Sequence, residues 1–142
     1  MVIKKRAHLG LAFDGDADRL GIIDENGKFI TTLETFSALV NHFLAYRNET
    51  SGVACTITMS SMVDKLGEYY NIPVYRTPVG FKYVGPKMME KSCFIGGEES
   101  GGYAFKQHIP ERDGILSALF FLEAMIVQKK KPSSLIAELQ KQ

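Results

Sequence analysis

The chain has 142 residues and a formal net charge of +1, with 45% hydrophobic and 23% charged residues. This composition is typical of a globular domain with its own core, and the balanced charge gives no field that would attract nucleic acid. No apolar run approaches the ~20 residues that cross a bilayer, so we expect no membrane partner. We also expect no secretory signal, because no apolar core follows the basic N-terminus.

The cysteines indicate a reducing compartment. Cys55 and Cys93 each lie in an apolar, strand-like stretch. Two cysteines in a chain of this size do not make a disulfide framework, so buried free thiols are predicted. We therefore expect a cytoplasmic protein.

The first third of the chain predicts a strand, a hairpin and a helix. Residues 9–13 form an apolar run of strand length, and residues 20–24 and 28–31 flank Asn26-Gly27, the favoured pair for a tight turn. Thr31 and Glu34 form a capping-box pattern, which predicts the start of a helix. Its apolar residues follow helical spacing: Phe36, Leu39, Val40, Phe43 and Leu44.

Strands and helices alternate along the rest of the chain. Strands are predicted at 53–58, 73–77 and 93–96, and helices at 83–91, at 113–129 and in a short amphipathic tail from Pro132. Ser60 or Ser61 caps a further helix with one apolar face: Met62, Val63, Leu66 and Tyr69. The helix at 113–129 is apolar on almost every side, so we expect it to be central or covered by a neighbouring domain.

This alternation predicts the fold class. We expect one α/β domain over residues 1–142, with a mixed, mostly parallel sheet and helices on both of its faces. The hairpin is expected to add an antiparallel edge to this sheet.

An acidic stretch at residues 13–19 is the strongest candidate for chemistry. It places three carboxylates at alternate positions, with small residues between them and a guanidinium directly after: Asp14, Asp16, Asp18 and Arg19. The carboxylates would repel one another without a cation, and Mg²⁺ takes oxygen ligands at roughly 2.0–2.1 Å. Arg19 suits a phosphate beside the ion.

Three alternatives to a magnesium loop exist for this stretch. An acidic surface turn is the plainest. An EF-hand calcium loop would use Glu25 at its twelfth position, but its sixth position requires Gly, and the sequence has Arg19 there. The flanking runs are also of strand length, so we reject the EF-hand. A phosphatase with an aspartyl nucleophile is a less favoured alternative.

Two later stretches carry polar groups in loop settings. Residues 77–82 lie between a predicted strand and a helix, where α/β sheets bind ligands. Gly80 frees the backbone there, and Lys82 can contact a phosphate or exchange protons, although a solvated helix lysine would look the same. Residues 96–102 surround Glu98, Glu99 and Ser100 with four glycines. Such groups bind vicinal hydroxyls, but a flexible surface loop has the same composition.

These stretches together resemble the α-D-phosphohexomutases, the phosphoglucomutase/phosphomannomutase family. Residues 12–21 resemble its metal-binding loop, 77–82 its lysine loop and 96–102 its sugar-binding loop, and 109–114 continue the likeness. The resemblance implies roles for eight residues. They are Mg²⁺ ligation by Asp14, Asp16 and Asp18, catalysis by Arg19 and Lys82, and substrate binding by Gly80, Glu98 and Ser100.

The resemblance covers essentially the whole chain, but only the third of the family's four domains. The phosphoserine loop of the first domain and the phosphate-clamping loop of the last are not found in this sequence. We therefore expect a fragment of a phosphohexomutase that needs the remaining domains and is inactive alone. Its ligands would be Mg²⁺ and a glucose or mannose phosphate, and Glu99 weakly favours glucose. A non-catalytic metal- or sugar-phosphate-binding module is the alternative.

Overall fold

The architecture is given by a computed structural model, which describes residues 1–141; Gln142, the last residue of the predicted domain, lies outside the described residues. The helices are α1 (Val2–Lys5), α2 (Thr32–Tyr46), α3 (Met62–Tyr70), α4 (Phe81–Lys91), α5 (Gly114–Gln128) and α6 (Pro132–Leu139). The strands are β1 (Gly10–Phe13), β2 (Leu20–Ile23), β3 (Phe29–Ile30), β4 (Val53–Thr56), β5 (Val74–Thr77), β6 (Ile95–Gly97) and β7 (Tyr103–Phe105). Among residues 1–141, no helix has both the length and the apolar character that crossing a bilayer requires.

The strands form two sheets. In the larger one, ordered β5-β4-β6-β7, β4 pairs in parallel with β5 and β6, while β7 is antiparallel to β6. This confirms the predicted mixed, mostly parallel sheet. The first three strands form a separate antiparallel sheet, ordered β1-β2-β3.

The hairpin therefore lies elsewhere than we predicted. It does not extend the parallel sheet along its length, but touches it through one isolated bridge between Arg19 and Gly102. The antiparallel edge strand of the larger sheet is β7, which the sequence analysis did not predict. With only three residues, β7 is too short to show the alternation of apolar and polar residues that indicates a strand.

Helices cover both faces of the larger sheet, because side chains alternate along its strands. Val53 and Cys55 of β4 belong to the main core, which packs against α2, α3, α5 and α6. Ala54, between them, belongs to a second, smaller core beneath α4. The main core includes the largest fully buried side chains: Tyr103, Phe36, Phe43, Phe94, Phe105 and Phe121.

Two glycines in β6 allow the helices to approach the sheet closely. A Cβ at Gly96 would lie 2.2 Å from the sulfur of Met88 in α4, and one at Gly97 would lie 2.3 Å from the ring of Phe36 in α2. Gly96 and Gly97, the first residues of the predicted sugar-binding loop, are thus buried strand positions with a packing role. The loop itself begins at Glu98.

Helix α2 begins as its local sequence predicts. The Thr31 hydroxyl accepts a hydrogen bond from the backbone N–H of Glu34 at 3.2 Å, and the Glu34 carboxylate accepts one from the backbone N–H of Thr31 at 3.0 Å. This reciprocal pair is the predicted capping box, and it satisfies two N–H groups at the helix start.

Two details differ from the sequence-based expectation, and a third decides between two predicted alternatives. Helix α4 begins at Phe81, directly after Gly80, because the left-handed φ of Gly80 (118°) turns the chain there. Tyr69, predicted on the apolar face of α3, is 76% exposed. Helix α5 is not central, because its outer side leaves Ile115, Leu119 and Ile126 between 56% and 73% exposed. The other predicted alternative, cover by a neighbouring domain, stays a prediction.

The prediction of buried free thiols is confirmed. Cys55 and Cys93 are both buried and unpaired. Burial raises the pKa of Cys55 to about 12 and that of Cys93 to about 11, so both thiols stay protonated near neutral pH. They are packing residues and not nucleophiles.

We predict that Phe43 dominates the stability of the main core. Its ring lies 4.9–5.6 Å from the ring centroids of Phe94, Phe105 and Phe120. Phe43→Ala should lower the free energy of unfolding by about 3–5 kcal/mol, because the cavity loses these contacts. The exposed Tyr69→Ala variant should change it by less than about 0.5 kcal/mol. Urea denaturation followed by circular dichroism measures both, and similar losses in the two variants would contradict this account of the core.

Candidate functional site

The acidic loop between β1 and β2 gathers the three predicted carboxylates. Asp14, Asp16 and Asp18 each offer an oxygen, and these oxygens all lie within 4.8 Å of one another. The loop turns because the backbone N–H of Ala17 donates to the Asp14 carbonyl at 3.2 Å, with Ala17 at a left-handed φ of 59°. A left-handed φ is strained for a non-glycine residue, so the tight turn of the loop has a conformational cost at Ala17.

The donor set fits a hard divalent cation. Asp18 Oδ1 is buried and accepts no hydrogen bond from any described residue. Burial raises the pKa of Asp18, and the nearby carboxylates of Asp14 and Asp16 oppose its ionisation further, although Arg112 works in the other direction. A cation would satisfy this orphaned oxygen and remove the repulsion, and carboxylate oxygens are the ligands that Mg²⁺ prefers.

The position of Glu25 agrees with rejection of the EF-hand. Its carboxylate accepts hydrogen bonds from the hydroxyl and, at 3.3 Å, from the backbone N–H of Ser133 at the start of α6. Glu25 is therefore held away from the acidic loop. An EF-hand needs this residue as a bidentate ligand of its ion.

Arg19 leaves the loop pointing toward solvent. Its backbone N–H donates to Asp14 Oδ1 at 3.2 Å, and its Nε lies 3.5 Å from Asp14 Oδ2 and 3.7 Å from Asp18 Oδ1. The side chain is 49% exposed, and among the described residues its terminal nitrogens form no ion pair. The guanidinium thus keeps donors available beside the carboxylates, as a phosphate contact requires.

Glu98 and Ser100 form a compact pair at the carboxyl end of β6. The Ser100 hydroxyl donates to Glu98 Oε1 at 2.9 Å, and Glu98 is only 6% exposed. The backbone N–H of Gly101 donates to the Glu98 carbonyl at 3.1 Å, which closes a tight turn. Buried carboxylates need partners, and Ser100 is one of them.

Glu99 faces a different direction from Glu98. Its carboxylate accepts hydrogen bonds from the hydroxyls of Thr58 and, at 2.8 Å, Thr56, at the end of β4. Its carbonyl accepts one from Thr32 at 2.6 Å. Glu99 therefore anchors the loop to β4 and α2.

Lys82 lies in the first turn of α4, directly after the loop that ends β5. Its Nζ is 5.1 Å from the ring centroid of Tyr83, and no described residue pairs with it in a salt bridge. Because β5, β4 and β6 are mutually parallel, their carboxyl ends share one edge of the sheet. Lys82 and Glu98 therefore lie along the same edge, although the two do not touch.

The acidic loop meets the Glu98 loop where β2 begins. The backbone N–H of Leu20 donates to the Gly101 carbonyl at 3.0 Å, next to the Arg19–Gly102 bridge. The structure thus brings the acidic carboxylates together with the Glu98–Ser100 pair. It places Lys82 and Gly80 on the same edge without direct contact to either.

Arg112 is a central residue that sequence reasoning missed. Its guanidinium lies 2.8 Å from Asp18 Oδ2 and 3.2 Å from Glu98 Oε1, and above the Phe81 ring at 5.6 Å from its centroid. Arg112 therefore contacts the acidic loop, the Glu98 loop and the residue before Lys82. Its only sequence signal was its place in residues 109–114, which continue the family resemblance without assigning it a role.

Comparison with known proteins identifies the relatives of this arrangement. The family model described as "Phosphoglucomutase/phosphomannomutase, alpha/beta/alpha domain III" matches residues 34–142. A phosphoglucosamine mutase of Nautilia profundicola is 38% identical over 134 residues, which cover 93% of this chain and 30% of the relative. A phosphoglucomutase/phosphomannomutase of Thermococcus kodakarensis is 39% identical over 135 residues, covering 95% and 29%. The chain thus spans about 30% of the length of these curated relatives.

Solved structures of similar proteins show the same fold. A provisionally named phosphomannomutase of Thermus thermophilus aligns with a TM-score of 0.90 and 34% identity, covering 94% of this chain and 30% of its own. The phosphoglucomutase pp63/parafusin of Paramecium aligns with a TM-score of 0.83 and 27% identity, covering 99% and 25%. In both, the similar region is a minor part of a larger chain.

We predict that Glu99 makes stability depend on acid pH. Burial alone would raise the pKa of Glu99, but the hydroxyls of Thr58 and Thr56 outweigh it and lower the pKa below its ordinary 4.5. Its contribution is thus fully present above about pH 4.5 and is lost as the pH falls through the lowered, folded-state pKa. Glu99→Gln should reduce the free energy of unfolding by about 1–2 kcal/mol at pH 7 and by much less at pH 3.

Urea denaturation at the two pH values measures this difference. Glu68→Gln, on the exposed side of α3, is the matched control and should follow the unmodified chain at both values. A Glu99→Gln loss that is equal at pH 7 and pH 3 would refute the assignment.

Proposed function

Because the chain belongs to the phosphoglucomutase/phosphomannomutase family, as its α/β/α domain III, we propose that it supplies the metal and sugar sites of a phosphohexomutase. The intact enzyme would interconvert hexose 1-phosphate and hexose 6-phosphate through a phosphoserine and a bisphosphate intermediate. The observation that carries this proposal is the contact between the acidic loop and the Glu98–Ser100 pair, since a metal-bound phosphoryl group and its sugar need adjacent sites.

Different residues of the chain are assigned to the metal ion and to the phosphoryl group, according to their chemistry. Asp14, Asp16 and Asp18 would hold Mg²⁺, which, when bound, neutralises charge developing on a transferring phosphoryl group. Arg19 offers the planar donors that steady this group. Lys82 contacts a phosphate or exchanges a proton at the sugar, a role that its exposed position along the same edge permits.

The sugar is assigned to the Glu98 loop. Ser100 and Arg112 both contact Oε1 of the Glu98 carboxylate, which leaves Oε2 to accept a hydrogen bond from a sugar hydroxyl. Ser100 adds a hydroxyl that both donates and accepts. A glucose or mannose phosphate presents vicinal hydroxyls that match this pair.

The remaining parts of the reaction are assigned to other domains. A phosphoserine loop and a phosphate clamp would come from the rest of a longer polypeptide, as would a cover for the exposed apolar residues of α5: Ile115, Leu119 and Ile126. Such residues are typical of a surface that packs against another domain. The buried free thiols support a cytoplasmic location for this protein.

We predict that the chain binds Mg²⁺ at the acidic loop. In two-dimensional NMR spectra, the amides of Gly15 and Ala17 should shift saturably as Mg²⁺ is added. Asp16→Asn should weaken binding roughly tenfold or more, because it removes a charged oxygen ligand. Glu68→Gln removes the same charge far from the loop along the sequence and should leave the affinity unchanged. Equal effects of the two substitutions would indicate diffuse charge attraction and no site.

We also predict that the 142-residue chain has no mutase activity alone. The described residues contain no phosphoserine loop, so no group accepts the phosphoryl from the substrate. Phosphorus NMR should show no conversion of glucose or mannose 1-phosphate with Mg²⁺ and hexose bisphosphate present, while an added mutase confirms that the assay detects turnover. Turnover that is abolished by Asp16→Asn would overturn this division between domains.

A further inference from the structure

The geometry points to Arg112 as a positioning residue that couples cation binding at Asp18 to the orientation of the sugar-binding carboxylate of Glu98. This inference rests on the proposed function, since it takes the acidic loop as the metal site and the Glu98 loop as the sugar site. It adds a link between the two sites that neither motif contains.

One guanidinium, that of Arg112, is shared by two carboxylates. Different nitrogens of Arg112 contact Asp18 Oδ2 at 2.8 Å and Glu98 Oε1 at 3.2 Å. The side chains of Asp18 and Glu98 are 17% and 8% exposed, and that of Arg112 is 26% exposed. Partial burial limits screening by water. The attraction between Arg112 and one carboxylate therefore depends on how closely the guanidinium contacts the other.

Arg112 is held where it can contact both carboxylates. A Cβ at Gly102, the residue before β7, would lie 2.4 Å from Cδ of Arg112, so glycine at this position leaves the space that the Arg112 side chain occupies. The ring of Phe81 supports the other side of the guanidinium, at 5.6 Å from its centroid. The next residue, Asp113, is the N-cap of α5 and accepts from the Leu116 backbone N–H at 2.8 Å, which fixes the chain after Arg112.

The coupling between the two sites is positive. A cation bound at the acidic loop would neutralise the Asp18 carboxylate and repel the Arg112 guanidinium. Arg112 would then contact Asp18 less closely and Glu98 more closely. The Glu98 Oε1 is then held more firmly, and its other oxygen is oriented for a sugar hydroxyl. By reciprocity, whatever strengthens the Arg112–Glu98 pair frees Asp18 and favours the cation.

A double-mutant cycle on Mg²⁺ affinity tests this coupling in the 142-residue chain. The probe is Mg²⁺ alone, and the readout is the titration of the Gly15 and Ala17 amides by NMR. With Arg112 present, Glu98→Gln should weaken Mg²⁺ binding roughly fivefold. The reason is that Arg112, having lost its second carboxylate, pairs more strongly with Asp18 and competes with the cation there. In the Arg112→Met background, the same substitution should change the affinity by less than about twofold, the remainder expected of screened charge.

Glu99→Gln is the matched control, because it removes the same charge from the next residue, whose carboxylate is bound by Thr56 and Thr58 and not by Arg112. Its effect on Mg²⁺ affinity should be the same in both backgrounds. Arg112→Lys is the second variant. It keeps the positive charge, but a single ammonium replaces the two guanidinium nitrogens that contact Asp18 and Glu98 separately. It should therefore lose the coupling as Arg112→Met does. It decides the question if Arg112→Met fails to fold.

Each outcome of the cycle has one meaning. An equal effect of Glu98→Gln with and without Arg112 overturns the coupling and leaves the metal site standing. Full coupling retained by Arg112→Lys overturns its assignment to the two separate nitrogens of the guanidinium. The absence of any saturable Mg²⁺ response at Gly15 and Ala17 in the unmodified chain overturns the metal site and the coupling together.

Discussion

The candidate site depends on one junction, where the start of β2 meets the loop after β6. The Leu20–Gly101 hydrogen bond and the Arg19–Gly102 bridge join the small antiparallel sheet to the α/β core. Strand β1, on the other side of the acidic loop, is largely exposed, and a sheet of strands this short needs packing against the rest of the domain for its stability. The position of the acidic loop relative to the sugar-binding residues is therefore fixed by this junction together with two further contacts. They are the burial of Leu20 and Ile22 in the main core and the hydrogen bond that the backbone N–H of Gly114 donates to the Ala17 carbonyl at 3.0 Å.

The rigidity of the Glu98 side of this junction comes from packing on both faces of β6. Phe36 from α2 and Met88 from α4 fill the space that side chains at Gly97 and Gly96 would take. Close packing of this kind leaves β6 little freedom, so the residue that follows it is held in place. Sites supported by packed strands and helices keep their geometry better than sites on free loops.

Charge repulsion opposes this arrangement. Five carboxylates lie along one region of the molecule, and the structure balances them with two guanidiniums and several hydroxyls: Asp14, Asp16, Asp18, Glu98 and Glu99 against Arg19, Arg112, Thr56, Thr58 and Ser100. The balance is incomplete at Asp18 Oδ1, which is buried without a hydrogen-bond partner among the described residues. Unsatisfied buried groups are rare in proteins and concentrate at functional sites.

The sequence by itself determined the features that arise from near neighbours. The capping box of α2, the turn at Gly27 with its φ of 81°, and the alternate carboxylates of the acidic loop depend on residues only a few positions apart. Their backbone and side-chain preferences are local, so spacing and residue type suffice to predict them. The alternation of strands and helices likewise predicted the fold class.

Only the tertiary structure decided the rest. The three-residue strand β7 forms because β6 lies beside it, and the separation of the two sheets follows from pairing between distant segments. Arg112 reaches Asp18 and Glu98, and Glu99 turns to Thr56, because folding brings together residues far apart in the chain. No local pattern records such contacts, since their free energy comes from burial and charge pairing that exist only once the core has formed.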